Sequence, residues 1–300
     1  MRINLTGVPE TLFITLRIRA IETKRPDAAI IEPYATEILE QIEFEESPKN
    51  KVSEASQTGT IIRTIILDEI INDFLHQHPQ GCVVNLGCGL DARCKRLSLN
   101  DCQWFDIDVE ETIEIRKHFF EETPFCKMIA KSMFDYSWMD TIPKDQPTLF
   151  ISEGVMMYFE EKDIRALFCE IAKQFKSAEI AFDTISRWAV RNYKLHPDVK
   201  KYNAPFKWGI TDSKEIENWH AGIRIIKEYY YANYLKNRWP LLMKIMMKLI
   251  VMVMLMVIIM AWFPDSFRTL APGMRVSGST AICPDRVMIT AYRGETAFCR

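Results

Sequence analysis

What this chain lacks narrows its function before any motif is read. It has no basic excess: 38 Lys and Arg stand against 40 Asp and Glu, a formal net charge of -2. The electrostatic footprint of a general nucleic-acid binder is therefore missing. None of its eight cysteines falls in a C-x-x-C pair or beside a histidine ligand, so the expectation is buried or partly buried free thiols and no metal. The five histidines share no motif, and no catalytic histidine is assigned. Met1 to Phe13 contains Asn4, Thr6, Gly7 and Glu10 where a secretory signal would carry an unbroken apolar core, which makes a cytoplasmic location the expectation. Apart from one methionine-rich run there is no internal repeat and no low-complexity segment.

That run, Leu241 to Phe263, is almost wholly apolar, with Lys244 and Lys248 as its only charges. Its uncharged part, Leu249 to Phe263, is 15 residues long, whereas a spanning helix needs roughly 20. It also has no polar face of the kind that lies on a membrane surface. Core packing as a helix, or self-association, is favoured over membrane contact.

The rest of the chain has a regular rhythm. With 48% hydrophobic residues over 300 positions, one decorated domain with a substantial core is expected. Helices are predicted over Thr11–Glu22, Pro33–Phe44 and Ile61–His76, giving a helical cap over 1–80. Glu45 to Thr58 is polar and holds Pro48, so it reads as an exposed loop suited to act as a lid. From Gly81 onward, apolar strands near Cys82–Leu86, Gln103–Ile107, Cys126–Ile129, Thr148–Ser152 and Glu179–Asp183 alternate with helices. The clearest of those helices is Glu160–Phe175, with a stripe of Ile164, Leu167, Phe168, Ile171 and Phe175. Such alternation predicts an α/β fold, a Rossmann-like and mostly parallel sheet with helices on both faces, over 81–300. An aromatic and charged insertion over about 186–220 covers the substrate side, and the sheet is expected to resume at Ile223–Tyr231 and Val287–Tyr292.

Val83-Val84-Asn85-Leu86-Gly87-Cys88-Gly89-Leu90-Asp91, followed by Trp104-Phe105-Asp106-Ile107-Asp108, carries the chemistry. An apolar strand stopping at Gly87 and Gly89 lets the backbone approach a ligand closely. Asp106 and Asp108 alternate with apolar residues on the next strand, which offers a carboxylate to ribose hydroxyls. Asp91 beside the loop is unfavourable next to a pyrophosphate but compatible with a cofactor bearing an ammonium and a sulfonium, and S-adenosylmethionine has both. A nicotinamide-binding oxidoreductase is the competing reading of the same layout. Glu153 ends the fourth strand and projects a carboxylate into the crevice where ligands of open sheets bind.

Together with Ser152-Glu153-Gly154-Val155-Met156-Met157-Tyr158, Arg25-Pro26-Asp27, Glu32-Pro33-Tyr34-Ala35, Arg63-Thr64, Ser137-Trp138, Phe182-Asp183 and Phe206-Lys207-Trp208-Gly209-Ile210, these strings resemble the leucine carboxyl methyltransferase family, in its bacterial branch of tetracenomycin-type O-methyltransferases. The likeness covers roughly residues 17 to 240. It departs from the family at Val109, where proline is usual, and at Ala92, often threonine. The resemblance implies a class I S-adenosylmethionine-dependent fold. It places Arg63 on the cofactor carboxylate, Asp108 rather than its neighbour Asp106 on the ribose, Ser132 and Met133 at the adenine, and Glu153 at the methionine part. Tyr158 falls near the transferred methyl and the acceptor. The implied activity is methyl transfer to a carboxylate or hydroxyl oxygen of a small molecule. A protein C-terminal carboxyl methyltransferase and a non-enzymatic membrane-associated binding protein are the alternatives.

Overall fold

The computed structural model describes residues 7–43, 51–196, 198–201, 204–241 and 256–262, with backbone alone for Lys200 and for the last seven. The chain divides into a unit spanning Met1–Pro264 and the remaining Asp265–Arg300.

Strand β1, Cys82–Leu86, is buried along its whole length, as suits a central parallel strand that is apolar except at Asn85. It pairs in parallel with β2, Gln103–Asp108, on one side and with β4, Thr148–Ser152, on the other. Strand β3, Cys126–Ala130, continues the sheet beyond β2, and β5, Ala178–Thr184, continues it beyond β4. Two further strands, β6 (Ile223–Tyr230) and β7 (Met256–Trp262), complete the order β3-β2-β1-β4-β5-β7-β6, both of their pairings being antiparallel. After β1 the chain runs to one side of the sheet, and it returns on the other side through β4. Such a reversal opens a crevice beyond the carboxyl ends of those strands, which is where the glycine loop and Glu153 lie.

Side chains alternate along each strand, so two cores form. On one face α3 (Glu54–Gln77) sets Ile62, Ile66, Ile70 and Phe74 against Val83, Trp104, Leu149 and Ile151. On the other, α6 (Glu161–Gln174) sets Ile164, Leu167, Phe168 and Ile171 against Val84, Phe105, Phe150 and Phe182. Helices α1 (Leu12–Thr23) and α2 (Pro33–Gln41) share a third cluster with Leu90, Ile115 and Phe120, placing them over the glycine loop and α5 (Glu110–Arg116).

Two expectations change. The loop expected over Glu45–Thr58 ends earlier, because α3 begins at Glu54: the Ser53 hydroxyl accepts a hydrogen bond from the Ser56 N–H, an N-cap. Ser53 also donates its N–H and its hydroxyl to Asp198 Oδ2, at 3.0 and 2.7 Å. The first turns of α3 have no apolar period because their outer side is solvated, and the capping serine starts the helix regardless. The apolar run near the carboxyl end contributes strand β7 rather than a packed helix: Met256–Trp262 is hydrogen-bonded between β5 and β6. A short apolar run without period fits a buried helix or a buried strand equally well. The unpaired edge of β5 decides between them, since its backbone groups need partners. The strand expected at Val287–Tyr292 lies outside the described residues. Among the described residues no helix is long and apolar enough to cross a membrane.

Replacing the cap, Ser53→Ala, removes the Ser56 bond and half of the Asp198 anchorage. The expected loss is about 1–2 kcal/mol, measurable as a lowered midpoint in urea with an unchanged slope.

Candidate active site

The crevice holds a cavity of about 250 Å³ between the tips of β1, β2 and β4 and the inner face of α1. Gly87, at φ +72°, turns the chain at the end of β1, and a Cβ there would lie 2.7 Å from Val155 Cγ2. Only glycine fits both the angle and the space. The N–H of Gly89 donates to Asp108 Oδ2 at 2.8 Å, and the N–H of Val109 donates to Oδ1 at 2.8 Å. The two amides fix the carboxylate while leaving each oxygen a lone pair toward the cavity. Burial pushes the Asp108 pKa up, and these two N–H bonds oppose the rise.

Asp106 is a correction. Although it is two residues from Asp108, it does not line the cavity. It is fully buried and accepts bonds from Arg116 Nη2 (2.6 Å), Trp104 Nε1 (2.8 Å) and Asn85 Nδ2 (3.2 Å). The strand tip turns Asp108 outward, whereas Asp106 stays one pleat inside and serves an internal ion pair.

Glu153 follows β4 into a dense cluster of buried charges. Its Oε1 lies 2.8 Å from Arg19 Nη2 and 3.0 Å from Arg63 Nε, and its Oε2 lies 2.5 Å from Arg93 Nη2. Arg63 also reaches Asp183 at 3.3 Å, and Asp183 accepts the Gly154 N–H at 2.6 Å. Gly154, at φ +72°, is fixed by that guanidinium, whose Nη2 would sit 2.7 Å from a Cβ. Asp91 pairs with Arg93 at 2.7 Å and Arg19 at 3.6 Å. The chain of pairs continues through Asp68 and Arg96 to Glu32. Four arginines thus meet five carboxylates, leaving one negative charge in excess. Burial pushes Glu153 up, but Arg19, Arg93 and Arg63 outweigh it and hold its carboxyl well below the ordinary range. Burial raises Asp183, with Arg63 opposing.

The structure therefore brings Gly87, Gly89, Asp108 and Glu153 to one cavity, with Arg63 directly against Glu153. Ser132, Met133 and Tyr158 do not line it. Ser132 and Met133 follow Ala130, the register partner of Asp108, so they stand at the same end of the sheet. Met133 is packed in the α6-side core. Tyr158 is buried in a short turn, with its ring tilted on Phe206 at 5.4 Å.

Sequence reasoning missed Arg19, which lines the cavity, is buried and has an Nε without a hydrogen-bond partner among the described residues. Its signal was available: Thr15 and Arg19 stand four apart on α1, an arginine between Ile18 and Ala20 on a face with no reason to be wet. Arg93, fully buried beneath Asp91 and Glu153, was also missed.

A carboxylate whose folded pKa lies below its unfolded value stabilises the fold above the unfolded value and loses that contribution as the pH falls toward the folded one. Glu153→Gln is accordingly expected to cost about 3–5 kcal/mol at neutral pH. The gap to wild type should stay constant down to about pH 4.5, the ordinary glutamate value, and narrow below it. Urea unfolding across pH 3 to 7 measures this, and a gap that widens on acidification refutes it.

Residues 13–172 match the model of the leucine carboxyl methyltransferase family. The chain is 31% identical over 230 residues to the tetracenomycin polyketide synthesis O-methyltransferase TcmP of Streptomyces glaucescens, covering 76% of this chain and 84% of that protein. It is 25% identical over 245 residues to the S-adenosyl-L-methionine-dependent methyltransferase dpfgK of Gibberella zeae, covering 74% and 82%. Among solved structures, a DUF574 family protein of Streptomyces avermitilis superposes with a TM-score of 0.54 at 10% identity, over 83% of this chain and 97% of that one. That likeness concerns the fold alone. The glycine loop, its aspartate and the arginine-bound glutamate lie on a scaffold and in a sequence context that agree, and the chain belongs to the leucine carboxyl methyltransferase family.

Proposed function

We propose that the cavity binds S-adenosylmethionine and that the protein is an O-methyltransferase acting on an oxygen of a small molecule, most simply a carboxylate. One observation carries the reading: Asp108, fixed by the glycine loop, and Glu153, held by three arginines, line the same cavity. The residues present fit the cofactor. The charge network has one negative charge in excess, and the donor carries one net positive charge. Gly87 leaves no room for a side chain beside the ligand. The Nε of Arg19 has no partner among the described residues, and a ligand carboxylate would provide one.

When bound, S-adenosylmethionine supplies an electrophilic methyl group on a sulfonium. Asp108 would accept hydrogen bonds from the ribose diol, and Ser132 and Met133, at the same end of the sheet, would serve the adenine. Arg19 and Arg63 would hold the amino-acid carboxylate, as guanidinium forks suit, while Glu153 and Asp91 would balance the ammonium. Tyr158, packed on Phe206 outside the cavity lining, would lie on the acceptor side.

The state of Glu153 bears on the acceptor. A carboxylate held below its ordinary pKa is a poor base, and among the described residues no histidine lines the cavity. An acceptor carboxylate is ionised at neutral pH and needs no base, whereas a phenol, with a pKa near 10, needs one within reach. The chain's task is then to align the acceptor and exclude water, worth roughly 7–11 kcal/mol of barrier. Residues 1–80 act as the cap through α1, with Leu12 and Thr15 on the cavity. The 186–220 insertion closes the acceptor side, a reading supported by the Lys207 and Trp208 N–H groups, which donate to the Met157 carbonyl at 2.8 and 3.2 Å. TcmP, whose name places it in polyketide synthesis, favours a small molecule over a protein acceptor.

Calorimetric titration with S-adenosylmethionine tests the site. Asp108→Ala should weaken binding at least about tenfold, the cost of charge-assisted hydrogen bonds worth about 1.5–3 kcal/mol, and Glu153→Ala should weaken it further by releasing three arginines. Unchanged affinity in both variants overturns the assignment. Treating radiolabelled product with alkali then separates a methyl ester, which releases its label and is the expected outcome, from an ether, which retains it.

A further inference from the structure

We infer that Cys94, Asp106 and Cys126 form a site for one thiophilic divalent cation of the zinc class, set behind the cofactor loop. The three residues are 12 and 20 positions apart in sequence and converge because α4 (Arg93–Arg96), the middle of β2 and the first residue of β3 meet inside the fold. All three are buried, and one donor atom from each lies within 4.8 Å of the others. Cys126 Sγ is 3.9 Å from Asp106 Oδ2. Tetrahedral zinc with Zn–S near 2.3 Å and Zn–O near 2.1 Å spaces sulfur and oxygen about 3.6 Å apart, so contraction by a few tenths of an ångström brings this pair to metal-ligand spacing.

Charge and orientation favour the same ligand. The carboxylate of Asp106 is already balanced by Arg116 at 2.6 Å. Both sulfurs are buried beside that carboxylate. A dication replacing two thiol protons forms two metal–sulfur bonds, releases two protons to solvent and leaves the buried charge unchanged. An ion lacking affinity for sulfur gains nothing from that exchange, which selects zinc-like over magnesium-like cations. Trp104 Nε1 and Asn85 Nδ2 hold Oδ1 of Asp106, leaving Oδ2 for the metal, a second layer of the kind that orients metal ligands. Three protein donors leave a fourth position for water or a small anion.

Occupancy reaches the cofactor loop. Arg116 donates from Nη2 to Asp106 Oδ2 and from Nη1 to the Gly89 carbonyl at 3.0 Å. A cation sharing Oδ2 loosens the first bond and frees the guanidinium to move against the loop, so zinc and cofactor alter each other's affinity by the same factor. The metal site itself stands apart from the methyl-transfer reading; only this coupling rests on it.

The reduced full-length chain, dialysed against buffered zinc, should retain one equivalent more than Cys94→Ser or Cys126→Ser, and cadmium should produce thiolate charge-transfer absorption in wild type. Equal zinc in wild type and both variants, absence of that absorption, or recovery of a Cys94–Cys126 disulfide in place of bound metal overturns the site. If the serine variants lose their circular dichroism, the cadmium spectrum of wild type decides alone. Zinc should shift the calorimetric affinity for S-adenosylmethionine at least about threefold in wild type. Stoichiometric zinc with unchanged affinity overturns the coupling, whereas loss of cofactor binding with zinc retained overturns the proposed function and leaves the metal site standing.

Discussion

The carboxylate of Glu153 among Arg19, Arg63 and Arg93 is the constraint on which the rest of the site depends. Three guanidiniums brought together without it would repel one another inside a cavity wall, and a glutamate buried without them would be protonated. Each partner comes from a different part of the chain: α1, α3, the segment after β1, and the tip of β4. The ion cluster therefore joins the helical amino-terminal region to the parallel sheet beside the cavity. Gly154 and Asp183 serve the same arrangement, one by giving the Arg63 guanidinium room and the other by holding it from β5.

Burying so many charges is costly in free energy, and apolar packing of the same volume often stabilises a fold more. Such clusters persist where a polar ligand has to be recognised. Here the network is nearly balanced, with a single negative charge over and a guanidinium nitrogen without a partner among the described residues. Such a network suits the zwitterionic cation proposed as its ligand, because its groups are already held in place.

Much of the fold was legible in local pattern. Strands with apolar residues on both faces, from Cys82 to Leu86 and from Thr148 to Ser152, announce burial on both sides, and the stripe on α6 announces a single buried side. The helix start at Ser53 was missed because an amphipathic period was sought where only a cap exists. The strand Met256–Trp262 was missed because an apolar run carries no period to distinguish it from a helix. In the site, Gly87, Gly89, Asp108 and Glu153 were legible from their places at strand ends, where the direction of the backbone fixes where side chains go. Asp106 shares the pattern of Asp108 but not its surroundings, and its partner Arg116 lies ten residues away on a helix, beyond the reach of strand periodicity.

The sequence by itself determined the sheet of parallel strands, the turn at Gly87 and the chemical class of the donor, because these depend on interactions among residues close along the chain. Tertiary structure alone decided that Arg19 and Arg93 join Glu153, that Asp106 faces inward, and that Cys94 meets Cys126. Those are contacts between elements, and the side chain that neutralises a buried charge is chosen by distance in space, which spacing along the chain does not encode.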